Sequence, residues 1–179
     1  SSSSAASDVY KRQDLYTIKK ELGKIDGLHV ALVGDLRYGR AATSFIYGLT
    51  RFSIRKISLI SPPLLRPREE VINFLKEVGV DYTEGENLDN VLADADVLYV
   101  TRIQKERFPD MAEFEKVKGS YKLSAESLER AKEDMIIMHP LPKVDEIDMM
   151  VDNMKHARYF KQAAYGAVSY THLTLPTKR

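Results

Sequence analysis

The chain has 179 residues, enough for one substantial domain with loose ends, and 44% are hydrophobic, enough for a packed core. Lys and Arg number 27 against 26 Asp and Glu, so the basic excess expected of a nucleic-acid partner is missing. Cys is absent, which excludes thiol catalysis, cysteine metal sites and disulfides and fits a reducing, cytoplasmic setting.

Residues 1–13 open on Ser1-Ser2-Ser3-Ser4 and carry no apolar period, and 167–179 are equally unpatterned, with Thr171, Thr174, Pro176 and Thr177 opposing a helix. Both are expected to be tails that resemble translated cloning adaptor, leaving one domain over 14–166. Asp14 is placed to cap a helix through Leu22, with Leu15, Ile18 and Leu22 at helical spacing. Gly23 and Gly27 bracket the turn into a buried strand, Leu28 to Val33, and a helix follows from Gly39 to Arg51. Lys56 to Ser61 is the second strand, stopped by Pro62-Pro63; Pro67 suits the first turn of a helix to Val78. A short strand near Val80 to Thr83, a short helix from Leu88 to Leu92 and a strand from Asp96 to Val100 come next.

Asp110 to Val117 and Ser124 to Lys132 read as helical, Met135 to Met138 as a buried strand, Asp145 to Asp152 as a helical turn and Tyr159 to Gly166 as a helix. No apolar run approaches the roughly 18 residues of a membrane span, and no secretory start is visible. Alternating strands and helices imply right-handed crossovers. The expected fold is α/β: a three-layer, mostly parallel open sheet with helices on both faces, Rossmann-like and doubly wound.

Three polar runs stand at strand ends, where open α/β sheets bind ligands. The first is Gly34-Asp35-Leu36-Arg37-Tyr38-Gly39-Arg40. Its glycines have P-loop spacing, but Arg40-Ala41 replaces the Lys-Ser/Thr pair, and the dinucleotide Gly-x-Gly-x-x-Gly pattern is missing. It reads either as an anion-binding turn or as a glycine turn with solvated arginines. In the second run, Arg102 can grip a carboxylate through two parallel hydrogen bonds, with Gln104 on the same face if the backbone stays extended. Lys105, Glu106 and Arg107 are expected to be a solvated cluster. The third is His139-Pro140-Leu141-Pro142, whose prolines stiffen the turn, leave carbonyls free and allow a cis bond before Pro142. His139 has no identifiable carboxylate partner and is expected to be structural rather than a general base. Scattered histidines give no zinc pattern, and Ser58 and Ser61 lack a hydrolase setting. No cofactor is implied. Together the runs suggest a pocket for a small, multiply anionic metabolite.

These runs, with Ile60-Ser61-Pro62-Pro63 and His156-Ala157-Arg158-Tyr159-Phe160-Lys161-Gln162-Ala163, resemble aspartate carbamoyltransferase, in order over about 14–166. The resemblance covers the aspartate-binding half of that catalytic chain. It implies that the amino group of L-aspartate attacks carbamoyl phosphate, the committed step of pyrimidine synthesis. Arg40 and Arg102 would bind the aspartate carboxylates with Gln104 assisting, while Leu141 and Pro142 would offer backbone groups to carbamoyl phosphate. No residue is a covalent nucleophile. The resemblance further implies a homotrimer with shared active sites and leaves room for a regulatory subunit. The family's Ser-Thr-Arg-Thr domain is not in this chain, which alone is expected to be inactive, and Lys143 stands where the family usually has Arg. An ornithine-type transferase fits less well, because Arg102 would face a cationic side chain. A non-enzymatic amino-acid-binding module and, more remotely, a nucleotide-binding domain are the remaining alternatives.

Overall fold

A computed structural model describes the backbone of residues 2–172, with side chains 8–9 and 11–166. Five strands, β1 (His29–Val33), β2 (Lys56–Ile60), β3 (Tyr82–Gly85), β4 (Val97–Val100) and β5 (Ile136–Met138), form one sheet in the order β3-β2-β1-β4-β5. Every neighbouring pair is parallel, so each connection is a crossover, the doubly wound arrangement expected. Among the described residues six α-helices accompany them: α1 (Ser2–Leu22), α2 (Arg40–Leu49), α3 (Glu69–Val78), α4 (Asp89–Leu92), α5 (Met111–Ser120) and α6 (Tyr159–His172). None of the described helices is long and apolar enough to cross a membrane.

Side-chain alternation along the strands builds two cores. Val30, Leu32, Val97, Tyr99, Ile136 and Met138 face Leu15, Phe45, Val71 and Leu75 of α1, α2 and α3. The intervening Ala31, Val33, Leu98, Val100 and Ile137 face Val91, Leu123, Leu128, Val151 and Tyr159 on the opposite side. Both faces are apolar because helices cover both, hence the near-continuous hydrophobic strands seen in the sequence.

Several boundaries differ from expectation. α1 reaches back to Ser2, so Asp14 lies inside a helix and caps nothing. The stretch expected as a tail has no apolar period, but it also has no Gly or Pro before Gly23, where the chain turns left-handed at φ 78. A helix already docked through Leu15 and Ile18 propagates readily along such a segment. α6 likewise continues past Gly166 to His172, while Ser1 and 173–179 of the expected tails lie outside the described residues. The expected helix at Ser124 to Lys132 contracts to a 3-10 turn at Ser127–Arg130, because Ser124 and Ser127 hydrogen-bond each other at 2.9 Å and the Ser124 hydroxyl takes the Ser127 N–H. The turn expected at Asp145 to Asp152 falls at Met149–Asn153.

The sheet order reverses between β1 and β4, whose ends pair as Val33 with Val100. Gly34 follows at φ 117, a conformation suited to glycine, and a Cβ there would stand 2.4 Å from the Thr101 carbonyl oxygen. Gly34→Ala combines a backbone clash with a forbidden torsion and should cost about 2–4 kcal/mol. A urea-unfolding midpoint equal to wild type would contradict this reading.

Candidate functional site at the sheet switch point

Loops leaving β1 and β4 are laced together before they diverge. The Thr101 N–H donates to the Val33 carbonyl at 2.8 Å, and its hydroxyl is shared between the carbonyls of Val33 at 3.0 Å and Asp35 at 3.3 Å. On the other flank the Gly34 N–H donates to Ile60 and the Leu36 N–H to Leu65. The Asp35 carboxylate then accepts the N–H groups of Arg37 and Tyr38, both at 2.9 Å, and closes the turn ahead of α2.

A cavity of about 210 Å³ opens at this point. The β1 loop and the start of α2 contribute Asp35, Tyr38, Gly39, Ala41 and Ala42. The β4 loop contributes Thr101, Arg102, Gln104 and Arg107, and Pro140 closes the wall from beyond β5. Arg102 and Gln104 therefore share one cavity. Arg40, exposed at the first residue of α2, stands between two lining residues without lining the cavity itself. Leu141 and Pro142 follow Pro140 but are not among the lining residues.

Arg107 is exposed, as expected, but it also lines the cavity and stacks on the Tyr38 ring at 4.3 Å, with Arg68 on the same ring at 5.6 Å. The signal available in the sequence was its position, five residues after Arg102 in a strand-end loop, against the usual fate of charge runs. Lys105 and Glu106 are exposed as well and do not line the cavity.

The third turn is more highly organised than the sequence suggested. His139 has a carboxylate partner after all: its Nε2 lies 2.6 Å from Glu146, a residue 8% exposed. Its Nδ1 accepts the Leu141 N–H at 2.8 Å, so Nε2 carries the proton and donates to Glu146. Both ring nitrogens are thus spent internally, which suits a structural role. They hold Leu141 at φ 52, ahead of a cis Leu141–Pro142 bond. Lys143 makes an ion pair with Asp152 at 3.2 Å.

A second constellation has the connectivity of a nucleophilic triad. His29 reaches Asp94 at 2.8 Å through Nδ1 and the Ser58 hydroxyl at 2.7 Å through Nε2. Ser58 is 1% exposed within β2, however, so no substrate reaches it, and the chain serves to satisfy buried polar groups.

Comparison with known proteins bears on the switch-point cavity. A family model described as the Asp/Orn binding domain of aspartate/ornithine carbamoyltransferase matches residues 26–173. The chain belongs to this family. Among curated carbamoyltransferases it is similar to the aspartate carbamoyltransferase catalytic subunits of Hyperthermus butylicus, 57% identical over 154 residues, and Staphylothermus marinus, 54% identical over 153. Each comparison covers 86% of this chain and 49% of the relative, so the chain spans about half the length of the curated relatives it matches. The catalytic subunit of M. jannaschii aspartate transcarbamoylase superposes with TM-score 0.85 at 50% identity, over 90% of this chain and 52% of that one. The Trypanosoma cruzi enzyme, solved in complex with carbamoyl phosphate and aspartate, superposes at 0.82 and 35% identity, over 90% of this chain and 52% of that one.

Burial pushes the Glu146 carboxyl up, but the His139 hydrogen bond and backbone N–H donors outweigh it and hold the group below its ordinary value of 4.5. A carboxyl lowered on folding contributes stability above its unfolded pKa and loses it as pH falls through the folded value. Glu146→Gln should lower Tm at neutral pH and flatten the decline in Tm below about pH 4.5. A melting curve whose acid limb matches wild type would contradict the assignment.

Proposed function

We propose that this chain is the aspartate-binding half of an aspartate carbamoyltransferase, catalysing with the rest of its protein carbamoyl phosphate + L-aspartate → N-carbamoyl-L-aspartate + phosphate. The observation that carries this is the cavity at the β1/β4 switch point, where Arg102 and Gln104 meet Arg107 at the foot of the helix that Arg40 opens. Two guanidinium groups from separate strand ends suit the two carboxylates of aspartate, and Gln104 adds a neutral donor and acceptor. An ornithine side chain would bring a cation against the same arginines.

In this reading the aspartate ammonium releases one proton to solvent, the neutral amine forms the new N–C bond at the carbamoyl carbon, the C–O bond to phosphate breaks, and a second N–H proton leaves with the phosphate. Catalysis then consists of positioning and electrostatic stabilisation, with no covalent intermediate. Leu141 and Pro142, which follow the cavity-lining Pro140, would offer backbone groups to the carbamoyl group and the amine, in a turn where the His139 ring accepts the Leu141 N–H. Domain limits of 14–166, a homotrimer with shared active sites, a cytoplasmic setting and a place in pyrimidine synthesis belong to the same proposal, as does room for a regulatory subunit. The remaining contacts to carbamoyl phosphate would come from outside these 179 residues.

Isothermal titration with L-aspartate should show weak binding to the chain, and ornithine should show none. Arg102→Ala should weaken aspartate binding by at least about tenfold, and Arg102→Lys should recover only part, since an ammonium cannot form the paired contact. The purified chain should release no carbamoyl aspartate when given both substrates. Equal binding of ornithine, or turnover by the chain alone, would overturn the corresponding part of the proposal.

A further inference from the structure

Asp14 sits inside α1 and is 2% exposed. A helix interior is a poor location for a short carboxylate, and burial is costly unless the group is hydrogen-bonded. Its Oδ1 accepts from the Gln162 amide at 2.8 Å, and its Oδ2 accepts from the Tyr99 hydroxyl at 3.1 Å. Gln162, 1% exposed on α6, turns its own oxygen to the backbone N–H of His139 at 2.8 Å. The His139 ring in turn accepts the Leu141 N–H and donates to Glu146. A buried chain of hydrogen bonds therefore runs from α1 and β4, through α6, into the turn beyond β5.

We propose that Asp14 is a positioning residue which, acting through Gln162, orients the His139–Pro142 turn. A carboxylate only accepts, so Gln162 must give it the NH2 end, and that choice aims the amide oxygen at His139. The inference rests on the proposed function only for the turn's use in binding carbamoyl phosphate; the connection itself stands on geometry. Burial drives the Asp14 carboxyl up to about 7, with the hydrogen bonds from Gln162 and Tyr99 pulling against it, so the charge that holds Gln162 changes near neutrality. Tyr99 from β4 and Gln162 from α6 face the group directly. Phe45 of α2, stacked on Tyr99, adds no charge, and His139 and Glu146 are the next titratable groups along the hydrogen-bond chain.

Backbone amide NMR of the chain across neutral pH tests this. The His139 and Leu141 N–H signals should shift together with a midpoint near 7, and Asp14→Asn, which keeps the shape but not the titration, should abolish that midpoint. In Gln162→Met the His139 amide should exchange about tenfold faster, the loss of one hydrogen bond, while the Leu32 amide in β1 stays protected. Ring 15N shifts of His139 in the same samples report its own protonation separately. The proposal is overturned by a wild-type turn with no midpoint near 7. A midpoint that survives Asp14→Asn or follows the His139 ring, or unchanged His139 exchange in Gln162→Met, overturns it equally. The His139 exchange in Gln162→Met decides the connection, and the Asp14→Asn titration gives an independent readout if that variant does not fold. An intact relay in a chain that binds no aspartate would count against the proposed function alone.

Discussion

Where β1 and β4 end, the backbones of Gly34 and Thr101 approach so closely that a methyl group on Gly34 would meet the Thr101 carbonyl at 2.4 Å. That contact lets a threonine hydroxyl bind two carbonyls of the neighbouring loop and brings the β4 loop alongside the start of α2. A bulkier residue at Gly34 would separate the loops, and with them the side chains that line the cavity. The site thus depends on an absence of atoms at one position and on a pair of hydrogen bonds that the absence permits.

Around this seam the molecule divides polar from apolar work. Alternate strand positions fill two separate cores, and the loops beyond β1 and β4 bring Asp35, Arg102 and Arg107 to the cavity. Among the buried polar groups, Asp14, His29, His139 and Gln162 have partners at 2.6–3.1 Å. Each satisfied group fixes a neighbour: His29 holds Ser58 and Asp94, while Asp14 and Gln162 hold the turn beyond β5. Fixing such groups costs burial energy that is recovered only when every member is bonded. The connected network is correspondingly specific in which residue types it accepts.

Much of the fold was legible because strand periodicity and glycine punctuation reflect burial directly. Leu28 to Val33 and Asp96 to Val100 read as buried strands for the same reason they fill both cores. The switch-point residues Arg102 and Gln104 were legible from their place after a strand. Three features were not. The start of α1 was hidden because its first residues lack an apolar period and draw their order from a helix docked further along. The place of Arg107 at the cavity was hidden because it belongs to a run of charges that, as expected, faces solvent. The pairing of His139 with Glu146, seven residues apart, and of Asp14 with Gln162, 148 apart, arises only from tertiary packing. Neither spacing has a local signature, so sequence reading assigned Asp14 to a helix cap and left His139 without a partner.

The central claim is that guanidinium groups from the β1 and β4 loops act on one dicarboxylic ligand. Titrating 15N-arginine-labelled chain with L-aspartate, while following the side-chain Nε–H signals, tests it most directly. Arg40 and Arg102 should both shift and should saturate along a single binding curve. Response of only one of them, or two curves with different affinities, would contradict the account.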